Sequence, residues 1–230
     1  MKNTILFSTL AITLALGAAT TMGTEAKAAG ADGTATVKML TGNTDPTDPV
    51  KPVDPEDPDN GGTDQTGNLT IDYVSNITFG DLLVGSSVVT AGAKNESPYV
   101  QVTDKRGTND SWIVNASLSA FKSADQTDEL KGASIIFTNP TVEKGALDNP
   151  STAPTSKGTV ELSSGDVASK EIFSSTGTSG KGTWLNVWNN SGEVGSNNNV
   201  QISVPGGQGK ADVTYSATLK WELASVPSTK

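Results

Sequence analysis

Ser119-Ala120-Phe121-Lys122 has the S-x-x-K spacing in which a lysine activates a serine for acyl transfer. That chemistry sits on a helix and is completed by S-D-N and K-T-G motifs. Neither follows here, and Lys157-Gly158-Thr159 and Lys181-Gly182-Thr183 invert the order of the second motif. Asp104 and Asp110 offer two carboxylates of the kind glycosidases use as an acid–base pair. In a chain with 25 acidic residues, however, two nearby acids arise by chance. Gly180-Lys181 and Gly209-Lys210 lack the upstream glycine of a phosphate-binding loop. The chain has no His and no Cys. Their absence removes the commonest general base, thiol catalysis, disulfides and the usual zinc sites. No constellation meets the requirements of an active site. The chain therefore reads as a non-enzyme, with no catalytic, cofactor-binding or metal-binding residue assigned.

The elements that carry these residues follow from composition and periodicity. Charged residues are 18% and aromatics 5% of the 230 residues, with 24 Gly and 11 Pro, which suits neither a coiled coil nor a multi-span membrane protein. A net charge of −9 argues against nucleic acid as a partner, because phosphate binding depends on clustered Lys and Arg. Residues 1–28 read as a signal peptide. Lys2 supplies the positive start, Ile5 to Ala19 the short apolar run, and Ala26-Lys27-Ala28 the small residues at a cleavage site. That run is shorter than the roughly 20 residues a membrane span requires. The mature chain is thus expected to be secreted with no transmembrane segment, and its stability must come from a packed core.

Residues 29–42 form an N-terminal strand segment, in which Ala35 to Thr41 alternates. Residues 43–66 are an Asp/Pro-rich loop or linker, with Pro46, Pro49, Pro52, Pro55 and Pro58 spaced by three as in polyproline II. Residues 67–230 form one β domain. Leu69, Ile71 and Tyr73 alternate with polar neighbours, as do Trp112, Val114, Ala116 and Leu118. Shorter runs follow at Tyr99 to Thr103, Ser134 to Thr138, Thr159 to Leu162 and Val200 to Val204. The longest stripe, Val213, Tyr215, Ala217, Leu219, Trp221 and Leu223, predicts a long strand with a single buried face. The fold class is all-β, an antiparallel sandwich or partly closed barrel in a single domain.

Tyr215 to Leu223, followed by Pro227, resembles the C-terminal motif of the WxL domain family of Gram-positive cell-surface proteins. Upstream, Val102-Thr103-Asp104-Lys105-Arg106-Gly107 leading to Ser111-Trp112-Ile113-Val114 is similar to the family's first motif, with Val114 where Trp-x-Leu has Leu. The motif residues are Trp112, Val114, Tyr215, Leu219, Trp221 and Leu223. The resemblance implies non-covalent attachment to the peptidoglycan-containing cell wall, with companion membrane-anchored surface proteins as further partners.

Attraction between an acidic protein and an anionic wall must be short range, through aromatic faces, amides and backbone groups. Trp184, Trp188, Asn189 and Asn190 stand together in one extended, amide-rich segment and are the candidate contact surface for the wall or a partner. Trp184 as a core residue and Trp188 as a covered strand end is the equal alternative. Two rival functions stay open: a module that binds a companion wall-associated protein through a sheet edge or groove, and a host-matrix adhesin.

Overall fold

A computed structural model describes residues 36–39, 57, 59–145 and 149–228. The chain divides into two compact units, residues 1–38 and 39–230. The signal peptide over residues 1–28 lies outside the described residues. The strand expected within residues 29–42 falls mostly outside the described residues; the described 36–39 are exposed and carry no regular secondary structure.

Fourteen strands and no helix make up the described residues. They are β1 (Leu69–Val74), β2 (Val89–Ala93), β3 (Tyr99–Asp104), β4 (Ser111–Leu118), β5 (Lys122–Ser123), β6 (Ser134–Thr138) and β7 (Thr141–Lys144). There follow β8 (Thr155–Ser156), β9 (Thr159–Ser163), β10 (Lys170–Ser174), β11 (Gly182–Val187), β12 (Asn197–Val204), β13 (Tyr215–Ser216) and β14 (Leu219–Val226). The first sheet runs β1-β3-β11-β7, the second β14-β4-β10-β8 and the third β2-β12-β6-β9, while β13 and β5 form a small ribbon. All pairings between these strands are antiparallel and no sheet closes on itself, so the fold is a β-sandwich and not a barrel.

One apolar core joins the three large sheets. Val100 and Val102 come from the first, Trp112 and Val114 from the second, and Phe137 and Ile202 from the third. In β4 the alternation holds throughout: Trp112, Val114, Ala116 and Leu118 are buried, and the residues between them are half-buried. Each large apolar side chain so buried contributes about 1.5 to 3 kcal/mol.

The opposite face of the first sheet holds a second apolar cluster of Tyr73, Tyr99, Leu185 and Val187, with the two tyrosine rings stacked at 4.5 Å. On the same face Asp72 is buried and accepts hydrogen bonds from Thr70 Oγ1 at 2.6 Å, Thr103 Oγ1 at 2.6 Å and Gln101 Nε2 at 3.0 Å. Burial holds its carboxyl above the ordinary value, against the opposing pull of those donors. The end of the Asp/Pro-rich segment is tied to this sheet. Thr63 N–H donates to Asp72 O at 2.9 Å, Asn60 Nδ2 to Val74 O at 3.0 Å, and Gln65 Oε1 accepts from Ile71 N at 3.2 Å. Residues 60–65 therefore run along the edge of β1, before the boundary that composition suggests at residue 67.

The long C-terminal strand is corrected in two respects. It breaks at Ala217-Thr218, where Ser119 N–H donates to Thr218 O at 3.0 Å and Thr218 N–H donates to Ser119 Oγ at 2.7 Å. The chain thereby passes from the β13–β5 ribbon to the second sheet. Its stripe is also only partly covered. Val213 is 37% exposed, and Tyr215, Ala217, Leu219, Trp221 and Leu223 are half-buried against the core. The reason is position: among the described residues β14 is an edge strand, paired with β4 alone.

Candidate functional site

The two Trp-centred motifs meet. In the β14–β4 pairing Leu223 lies opposite Val114, Trp221 opposite Ala116, and Ser225 opposite Trp112. Because β4 runs against β14, the two motifs interleave along one seam, and their apolar residues point into one core.

Trp112 is completely buried and meets Phe173 edge-on at 5.0 Å. Its indole N–H donates to Gly180 O at 3.2 Å, and that of Trp184 donates to the adjacent Lys181 O at 2.9 Å. One turn thus satisfies two buried indoles. Gly180 is required there: its φ is +72°, and a Cβ would lie 2.9 Å from Trp112 Cζ2.

Arg106 closes the seam from outside. It donates to Asp104 through Nε at 3.0 Å and Nη2 at 2.8 Å, to Asp110 O at 3.0 Å, and to Ser225 Oγ of β14 at 2.5 Å. Asp110 Oδ1 accepts from Ser228 N–H at 3.0 Å, and this bond above all holds its carboxyl below the ordinary value. The Asp-Lys-Arg-Gly stretch is therefore a clasp that fixes the C-terminal strand to the first motif. Tyr215 adds a further tie, its hydroxyl accepting from Lys210 N–H at 3.0 Å.

The candidate contact segment is divided by the structure. Trp184 and Trp188 are each 2% exposed and lie in the core, which corrects their assignment to a contact surface. The cause is that β11 is an interior strand between β3 and β7, with apolar clusters on both faces. Trp188 packs 4.7 Å from Phe137 and 6.3 Å from Trp221, and Trp221 lies 6.4 Å from Phe137. Trp221 is the one tryptophan of the four that keeps partial exposure. Asn186, between Trp184 and Trp188 in sequence, is fully buried, and neither its amide nor Trp188 Nε1 finds a partner among the described residues.

Asn189 is exposed, with Nδ2 reaching Glu143 Oε1 at 3.3 Å. Asn190 serves its own turn, donating to Glu96 Oε2 and Glu193 O, both at 2.8 Å, and accepting from Gly192 N–H at 2.7 Å. Asn197 and Asn199, which stand near the contact segment in sequence, are buried and hold this corner from within. Asn197 Nδ2 donates to Trp188 O at 2.8 Å and Asn95 O at 3.1 Å, and Asn199 Nδ2 donates to Asn189 O at 2.7 Å. These two asparagines fix the backbone from which Asn189 and Asn198 face solvent. The run of three asparagines at 197–199 is the only sequence signal for it.

Ser119 and Lys122 of the S-x-x-K pattern sit at the end of β4 and in β5, not on a helix. Among the described residues no group of three metal-ligating side chains converges, and no helix is long and apolar enough to cross a membrane.

The fold is an antiparallel sandwich in which two Trp-x-aliphatic strands pair along one seam. The family model described as "WxL domain surface cell wall-binding" matches residues 24–227. The chain belongs to the WxL domain family, and is a cell-wall-associated surface protein. No curated protein and no solved structure matches it.

Proposed function

We propose that the protein is secreted through its N-terminal 28 residues and attaches to the Gram-positive wall without a covalent bond, by direct contact of its β domain with peptidoglycan. The observation that carries this reading is the match to a wall-binding family over residues 24–227. The motif residues support binding indirectly, by building the seam. With Trp112, Trp184 and Trp188 in the core, recognition of glycan hydroxyls or peptide stems falls to amide groups, and the corner presenting Asn189 and Asn198 is the pre-organised candidate. Asn190 contributes by shaping that turn.

Co-sedimentation of the secreted protein with washed, protein-free sacculi tests the reading. Retention on sacculi alone is expected, and an Asn189→Ala, Asn198→Ala double variant should be retained less while melting normally. Retention only when membrane-anchored companion proteins are added would favour the partner-binding alternative instead.

A further inference from the structure

The first sheet is buried on both faces, but only one of them is covered by other sheets. β3 and β11 turn Val100, Val102 and Trp184 into the common core. The opposite face carries Tyr73, Tyr99, Leu185 and Val187 as a cluster of its own, with Val187 directly across from Tyr99 and Leu185 across from Gln101. Tyr73 is 0% and Tyr99 4% exposed, and Asp72 and Gln101 beside them are equally hidden. No described apolar side chain outside the four joins that cluster, and the other two large sheets pack on the core side. A face this dry requires a cover, because two stacked phenol rings on an open sheet would be wetted on their outer side.

We infer that this face is a polyproline-binding surface and that its occupant is the chain's own Asp/Pro-rich segment, residues 43–56, with prolines against the rings of Tyr73 and Tyr99. Where that segment ends selects it. Asp57, of the last Asp-Pro pair, accepts from Asn76 Nδ2 at 3.3 Å, and Asn60 Nδ2 reaches Val74 O at 3.0 Å. The segment therefore meets the sheet at the end of β1 that carries Tyr73. It also belongs to the same compact unit as the sandwich, which residues 1–38 do not. Residues 146–148 are too few and follow the end of β7 away from Tyr99, where Lys144 pairs with Trp184. Residues 229–230 follow Ser228, which is held at Asp110. The chemistry fits as well. Three residues make a turn of polyproline II, so Pro46, Pro49, Pro52 and Pro55 fall on one edge, and aromatic-lined surfaces take up prolines in this form. Asp45, Asp48 and Asp54 then share another edge, which stays in water. Reach is ample: residues 46–55 extend about 30 Å in that form, and the strands β1, β3 and β11 that carry the cluster span about 10 Å.

Nuclear magnetic resonance of the full secreted chain is the test, and it does not depend on wall binding. With the rings of Tyr73 and Tyr99 assigned, Overhauser contacts from their protons to proline ring protons within residues 46–55 are expected. An isotope-filtered measurement on mixed labelled and unlabelled chains should place those contacts within one chain. Their absence, or contacts only between chains, overturns the inference. The triple variant Pro49→Ser, Pro52→Ser, Pro55→Ser should melt about 2 to 8 °C below the parent. At a temperature where it is folded, it should open Tyr73 and Tyr99 to nitration by tetranitromethane, mapped by mass spectrometry. Pro227→Ser, at an exposed proline outside the segment, should change neither. A triple variant that melts like the parent and keeps both tyrosines shielded also overturns the inference.

Discussion

Leu223 of β14 sits directly across from Val114 of β4, so the third residue of one Trp-x-aliphatic motif is the cross-strand neighbour of the third residue of the other. The motifs lie more than a hundred positions apart in the chain and form one structural unit. Val at 114 suits this place, because a β-branched residue packs well on a pleated, fully covered face.

Arg106 should be indispensable to that unit. Its partner Asp104 has only 5% of its side chain exposed, so Arg106→Ala leaves a nearly buried carboxylate without its counter-ion, held through the main-chain N–H of residue 106. A loss of about 3 to 5 kcal/mol is expected on denaturant unfolding. Arg106→Lys should recover little of it, because an ammonium cannot reproduce the forked contact with Asp104.

Gly180→Ala should destabilise by about 1 to 3 kcal/mol, combining a positive φ with overpacking against Trp112. Near-ultraviolet circular dichroism, which reports the indole environment, should change with it.

Asp110 gives the C-terminal tie a pH dependence. Its carboxyl titrates below its ordinary 3.8 in the folded protein, so its contribution is fully present above that value and disappears as pH falls through the lowered one. Asp110→Asn should therefore melt below the parent protein at neutral pH. The gap should close once the pH falls below the folded value, and the Ser228 amide should exchange faster in the variant at neutral pH.

Asn186→Val should leave the melting temperature unchanged or raise it. The buried amide has no partner among the described residues, and replacing an unsatisfied polar group by an apolar one of similar size removes a desolvation cost of about 1 to 3 kcal/mol. A large loss of stability would show that the amide is satisfied in solution.

The alternation along β4 and the apolar runs of β6 and β9 could be read from sequence because each strand obeys a period of two with clear turn residues at its ends. What alternation cannot give is coverage. The stripe from Tyr215 to Leu223 points inward as its spacing implies, yet it stays half-buried at an edge that sequence does not reveal. The opposite error affects Trp184 and Trp188. Their amide-rich neighbours suggest a surface, but an interior strand buried on both faces loses its alternation and hides the residues that matter most to the core. The Arg106 clasp was equally hidden, since Asp-Lys-Arg-Gly reads locally as a solvated turn and its partner Ser225 is 119 positions away.

Trp221 tests most directly whether the C-terminal motif acts on wall attachment through the fold. Trp221→Ala should cost about 1 to 3 kcal/mol, less than the about 3 to 5 kcal/mol expected for the fully buried Trp188→Ala. Retention on washed sacculi should be measured beside the folded fraction of the same sample. Retention of Trp221→Ala should fall only in proportion to the protein that has unfolded, and Trp221→Phe should be retained like the parent. A Trp221→Ala protein that is fully folded and yet no longer binds would contradict it and place the motif at the wall contact.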